Sequence, residues 1–176
     1  MNNNKKIIFV SIIIIILFAA LFLTIRRIDR KSQQDDDVSE IEVDLYFATN
    51  DAMYLKPEKR KIEDDGSDFY RNVIDSLIEG PNDSTLRETI PEDVQLIDIN
   101  IKDELIKVNF NQELIENHWG GSTGERLTVY SIVNTLTQFS ELEEVMIMIE
   151  GEEQETLVGH MDLSGPLVFN EGIVQK

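Results

Sequence analysis

Nineteen residues near the start of the chain, Ile7–Ile25, are apolar apart from Ser11 and Thr24. At about 1.5 Å rise per residue, a helix of that length reaches roughly 28 Å, close to the hydrocarbon thickness of a bilayer. Unpaired backbone groups cannot be left in lipid, so the stretch is expected to be a membrane-spanning helix. As a core helix it would need a surrounding protein body, and no other part of the chain is long enough to provide one. A cleavable signal peptide fits poorly: neither Ala19 nor Ala20 has a small residue two places before it, and the apolar run continues past both. With no cysteine in the sequence, a lipid-modified N-terminal cysteine is excluded as the anchor, and so are disulfides.

Orientation is set by two opposing signals. Lys5 and Lys6 precede the span, whereas Arg26, Arg27, Arg30 and Lys31 follow it, and the basic count alone places the following side in the cytoplasm. A long domain translocates largely regardless of charge, and a short N-terminus with two lysines is typical of a signal anchor. The arginine cluster also suits anionic lipid headgroups, at about 1 kcal/mol per charge.

The expected division is a short cytoplasmic segment (1–6), a transmembrane signal anchor (7–25), a basic then acidic linker (26–40), a folded domain (41–170) and a C-terminal tail (171–176). The linker contains the solvated run "SQQDDDVSE". Removing residues 1–31 takes away six basic groups and one acid, leaving 10 basic against 33 acidic residues, a net charge near −23. Such a surface repels phosphate backbones, so nucleic acid is excluded as a partner.

Within the domain, "IEVDLYFA" alternates with period two and reads as a strand with one buried face. "YLKPEKRKI" is an edge-type strand, since Pro57 argues against a central position. "SDFYRNVIDSLIEGP" carries an apolar stripe at helical spacing, with Ser67 or Asp68 at its start and Gly80-Pro81 at its end. "VQLIDINI" and "LIKVNF" form a hairpin about Asp103-Glu104, with Ile97, Ile99 and Ile101 sharing one face. "NQELIENHW" supplies one or two helical turns capped by Asn111. A second main helix is expected over 124–140, with Val129, Ile132, Val133, Leu136 and Phe139 inward. "EVMIMIEG" adds a strand, "TLVGH" a final short one, and "GPLVF" packs back on the core. The order β(β)-α-β-β-α-β predicts an α+β two-layer sandwich behind one N-terminal transmembrane helix.

The chemical candidates are few. Gly120–Gly124, "GGSTG", fits G-x-S-x-G, but a nucleophile elbow needs a strand directly before the serine, and here "ENHWGG" precedes it. His160 and Asp162 follow in the order Ser–His–Asp, whereas that fold uses Ser–Asp–His. Ser122 and Glu125 instead fit S-x-x-E, so Ser122 is expected to cap the second main helix reciprocally with Glu125. No lysine follows the glycines as a phosphate-binding loop requires. His118 and His160 are the only histidines, with no ligand spacing for zinc. The acidic run Glu63–Asp68 lacks the ligand pattern of an EF-hand. No catalytic residue, metal or cofactor is expected.

Trp119, the sole tryptophan, is expected as a core plug before a glycan platform. Met146 and Met148 lie opposite Val145, Ile147 and Ile149 and form either an apolar contact surface or the second buried face of the strand. Ser131, Asn134, Thr135, Thr137 and Gln138 make an uncharged polar side on the second main helix. They are expected to bond to adjoining loops, the loop around His160 among them, or to a partner. Ser131, Asn134, Gln138 and Trp119 are the candidate partner-binding residues, on the expectation that this face is exposed.

"YSIVNTLTQF", "VMIMIEG" and "GHMDLSGPL", with "LIEGP", "IP" and "VNFNQEL" upstream, together resemble the GerMN domain family of bacterial sporulation and spore germination. The resemblance spans Ile41 to Phe169. It implies a noncatalytic, extracytoplasmic, envelope-tethered domain whose fold is similar to the ring-building modules of secretion and sporulation channels. Family members are often lipoproteins and can carry two such domains; this chain has no cysteine and one domain. The resemblance turns the orientation towards an extracytoplasmic domain on a single-pass anchor in the cell membrane. The expected role is an assembly or scaffold module with an envelope or sporulation-channel protein as partner, and homo-oligomerisation is compatible with it. The alternatives are a cell-wall glycan or peptide binder using Trp119 and, more remotely, a serine hydrolase using Ser122.

Overall fold

The computed structural model describes residues 39–64, 66 and 68–176. The apolar stretch Ile7–Ile25, the chain from there to residue 38, and Asp65 and Ser67 in the acidic run lie outside them. Among the described residues no helix is long and apolar enough to cross a membrane. Residues 40–176 form one unit.

Strand β1 (Ser39–Thr49) and strand β2 (Leu55–Asp64) are followed by helix α1 (Phe69–Ile78), the short β3 (Leu86–Arg87), and the hairpin β4 (Leu96–Lys102) and β5 (Leu105–Phe110). Then come one helical turn, α2 (Glu113–Glu116), the long helix α3 (Ser122–Leu136), β6 (Glu144–Ile149), the two-residue β7 (Glu152–Glu153) and a 3-10 turn (Glu171–Ile173). The fold is mixed α+β, as expected. The strands divide into two sheets, β2-β1-β3 and β4-β5-β6-β7, where a single sheet with one buried face was expected. β5 and β6 run parallel, and the crossover between them carries α2 and α3.

The periodicities account for the core. Val73, Ile74 and Leu77 from α1, with Val129, Ile132, Val133 and Leu136 from α3, are buried. They share one cluster with Val43, Leu45 and Phe47 of β1, Ile106, Val108 and Phe110 of β5, and Val145, Ile147 and Ile149 of β6. Phe139 falls beyond α3, which ends at Leu136, and stacks edge-to-face on Phe69 and Tyr70 at 5.3 and 5.4 Å. α1 stops where Gly80 takes φ +88°, a conformation L side chains rarely adopt, with Pro81 directly after it. Asp103 and Glu104 turn the hairpin, with Asp103 alone at positive φ, so the glutamate is spared the strained position.

Several local expectations are corrected. Asn111 does not cap α2, whose N-cap is Gln112; the Asn111 amide instead accepts from Gln95 N–H and donates to the Asp93 carbonyl. Residues 156–160 form no strand, because Glu125 draws their N–H groups together, as described below. Of the two readings of Met146 and Met148, the second buried face holds, with Met146 buried and Met148 half-buried. At the C-terminus Ile173 is buried, and Gln175 N–H donates to the Leu55 carbonyl at 2.8 Å.

Candidate functional site

α3 enters through Gly120 and Gly121, both at positive φ. Gly121 is the N-cap residue, with no side-chain capping bond, and its carbonyl accepts from Glu125 N–H. The capping box is therefore corrected: Ser122 is the first helical residue, exposed, and no hydrogen bond joins it to Glu125, His118 or His160 among the described residues. Gly121 supplies only the first intrahelical acceptor, as any N-cap carbonyl does, and no side chain of the N-cap residue caps the first turn. Ser122→Ala is accordingly expected to change stability by less than about 0.5 kcal/mol, as surface substitutions do. Urea denaturation of the pair checks this, and a loss above 1 kcal/mol on the scale of a true N-cap would restore the serine's capping role.

Glu125 has a different task. It is completely buried. Its Oε1 accepts from the Thr156 hydroxyl (2.7 Å), Leu157 N–H (2.9 Å) and Val158 N–H (3.0 Å), and its Oε2 accepts from His160 N–H (2.8 Å). Burial pushes the carboxyl pKa up, but the Thr156 hydroxyl and the Val158, His160 and Leu157 N–H groups together outweigh it, and the net shift is downward. The ionised carboxylate thus fixes the 156–160 loop. The sequence carried one signal for this, a glutamate on the otherwise uncharged inward side of the helix.

The uncharged residues of α3 and of the turn directly after it follow the same logic. Gln138 accepts from Asp44 N–H at 2.9 Å and donates to the Asp44 carbonyl at 2.8 Å, so its amide pairs with β1 as a neighbouring strand would. Thr135 accepts from Tyr46 N–H. One turn before Gln138, Asn134 pairs in the same way with Asn170, accepting from its N–H at 2.9 Å and donating to its carbonyl at 3.1 Å. β3 continues this edge of β1, pairing at Ala48 and Thr49. The α3 side chains therefore close an edge that a two-residue strand leaves open.

These contacts correct the exposure expected of the partner-binding residues. Asn134 and Ser131 are wholly buried and Gln138 is half-buried. The physical reason is that unpaired backbone on β1 and at Asn170 needed partners, and α3 is packed against both. Ser131 bonds to the Thr128 carbonyl within the helix.

Trp119 departs from expectation in the opposite direction. It is 58% exposed and plugs no core. It stands at the mouth of a cleft of about 650 Å³, between the loop after α1 and the start of α3, lined also by Leu86, Arg87, Glu88, Thr89 and Leu127. His118, next to Trp119, anchors this side. The Thr128 hydroxyl donates to the Thr89 carbonyl (2.6 Å), so it accepts from His118 Nε2–H (3.1 Å), and His118 Nδ1 accepts from Gly120 N–H (2.9 Å). That chain assigns the neutral tautomer with the proton on Nε2. Burial lowers the His118 pKa below its ordinary 6.5, against a smaller opposing pull from Glu125.

Lowering a histidine pKa on folding contributes stability that is complete above 6.5 and is lost as pH falls through the folded value. Protonation would place a hydrogen on Nδ1 against Gly120 N–H. Trp119, with ring centroids 5.8 Å from His118, should report the change. Its emission is expected to titrate with a midpoint below 6.5, and His118→Asn should abolish the transition. A midpoint at or above 6.5 would mean that the His118 contacts do not hold the ring neutral.

His160 is exposed, and Asp162 binds Ser164 rather than a histidine. Among the described residues no group of three or more His, Asp or Glu could hold a metal ion.

Residues 44–155 match the family model Germane, described as sporulation and spore germination. A crystal structure of a protein from Clostridium perfringens, provisionally assigned as a lipoprotein, is 30% identical and aligns with TM-score 0.54 over 74% of this chain and 88% of its own. The tandem GerMN domains of the sporulation protein GerM from Bacillus subtilis align with TM-score 0.62 at 23% identity over 74% of this chain, which spans 46% of that structure. The first GerMN domain of the same protein aligns with TM-score 0.62 at 21% identity, over 73% of this chain and 97% of its own. No curated protein matches the sequence significantly.

Proposed function

The chain belongs to the Germane (GerMN) family of sporulation and spore germination domains, and on that premise we propose that it is a membrane-anchored, noncatalytic assembly module of a bacterial envelope complex, with its domain outside the cytoplasm. The anchor is the apolar stretch Ile7–Ile25, long enough to span a bilayer. The similarity to a protein provisionally assigned as a lipoprotein supports a membrane location.

One observation carries the assembly role. β4 is an outer strand of its sheet; Ile101, paired with the buried Ile106, remains 45% exposed, and Ile97, at the irregularity between Leu96 and Asp98, remains 42% exposed. Arg71 covers the carbonyls of Leu96 and Ile97 at the start of the strand. Two exposed isoleucines on an outer strand make an edge of the kind that another protein completes. By contrast, the polar side chains on α3 are engaged in holding the fold.

The test is recovery of crosslinked membrane complexes from cells carrying Ile97→Lys and Ile101→Lys together. Recovery is expected to fall while thermal unfolding changes little; unchanged recovery would remove this edge from the assembly. Self-association through it should strengthen with salt, because like-charged copies repel and the repulsion is screened over about 8 Å at physiological ionic strength. Protease added to intact, wall-stripped cells should digest the domain. Digestion only after lysis would place it in the cytoplasm.

A further inference from the structure

We propose that the cleft beside Trp119 is a carbohydrate-binding site, taking the uncharged pyranose rings of an oligosaccharide. The site is separate from the β4 edge and does not depend on the assembly role.

Four features converge there. Trp119 presents an exposed ring at the mouth, and the apolar face of a pyranose stacks on such a ring. The floor is apolar, with Leu86 and Leu127 both buried. Around it, carboxylates and a guanidinium share one lining, Glu88 beside Arg87, so the cleft offers both acceptors and donors. Sugar hydroxyls both give and accept hydrogen bonds and suit that mixture. Finally, the Thr89 hydroxyl is buried, in a residue only 2% exposed, and has no hydrogen-bond partner, although the Thr89 carbonyl is bonded to Thr128. Buried hydroxyls without partners are uncommon, and Thr89 is among the residues that line this cleft.

The wall is built in advance. Glu58 accepts from Asn82 and Asp83 N–H, while Arg60 pairs with Glu58 and donates to the carbonyls of Ser76 and Gly80. The turn after α1 is thereby fixed on one side, and the His118–Thr128 chain fixes the other. A site held in this way loses little entropy on binding. Charge narrows the ligand class. Three carboxylates, Glu79, Asp83 and Glu88, face one guanidinium, Arg87, which is held towards Asn50 at 3.0 Å, so the lining repels an anionic ligand, and the choice between a neutral and a cationic one is left to the experiment.

The experiment is calorimetric titration of the full-length protein, in a detergent without a sugar headgroup, against an N-acetylglucosamine tetramer and against tetralysine. Saturable binding of the tetrasaccharide is expected, insensitive to salt. Trp119→Ala and Thr89→Val should each weaken it about tenfold or more, equivalent to about 1.4 kcal/mol. Thr89→Val should not lower thermal stability, since the hydroxyl it removes is buried and bonds to nothing in the free protein. The proposal fails if neither probe saturates, or if tetrasaccharide binding survives both substitutions. It also fails if only tetralysine binds and salt abolishes that binding, which would make the cleft a site for cationic peptide. None of these failures would touch the assembly role, which is read at Ile97 and Ile101.

Discussion

Glu125→Ala is expected to destabilise the domain by about 3–5 kcal/mol. Hydrogen bonds to a charged acceptor contribute about 1.5–3 kcal/mol each, and this carboxylate accepts four. The cost of burying the charge offsets part of that total. The substitution also leaves Leu157 N–H buried without a partner. Glu125→Gln should cost less, about 1–2 kcal/mol, because one amide oxygen can still accept while the NH2 group faces a donor. The pH dependence follows from the lowered pKa. The carboxylate's contribution is present above its unfolded value near 4.5 and disappears as pH falls through the lower folded value. Denaturant titrations of the wild type and both variants, repeated from neutral to acidic pH, test this. A loss below 1 kcal/mol at neutral pH for Glu125→Ala would show that the 156–160 loop does not depend on the carboxylate.

The second large effect is expected from Asn134→Lys. Asn134 is wholly buried, and its amide satisfies both backbone groups of Asn170. Lysine would break both bonds and bring an ammonium group into the interior without a carboxylate to pair it. The cost should exceed about 4 kcal/mol, against a total of about 5–15 kcal/mol for a typical domain. The variant should be largely unfolded by circular dichroism at 37 °C. Gln138→Lys should be milder, since Gln138 is half-buried and a lysine there can reach water. A folded Asn134→Lys variant with reduced complex recovery would return this face to the list of interaction surfaces.

Local chemistry in the chain was enough to place the helices, the hairpin and most of the core. Gly80-Pro81 can only end a helix, alternation in "IEVDLYFA" leaves one face to bury, and the spacing of Val129, Ile132, Val133 and Leu136 admits one inward stripe. These are statements about neighbours within a turn or a pleat, where the period of the backbone fixes geometry. Ordered motifs from "LIEGP" to "GHMDLSGPL" likewise identified the family. The fate of the polar residues was not legible in this way. Asn134 and Gln138 were expected to bond either to adjoining loops or to a partner and to be exposed, because nothing local shows that β1 and Asn170 lie against them with backbone groups unpaired. Glu125 fitted a capping box by spacing, but its four donors come from a loop more than thirty residues away. Trp119 looked like a plug because tryptophan usually buries its large ring; the paired glycines that follow instead turn the chain so that it stands over a cleft. Apolar residues are placed by periodicity because water drives them all the same way, whereas a polar residue is placed by whichever partner the folded chain brings within 3 Å, and tertiary structure alone decides that.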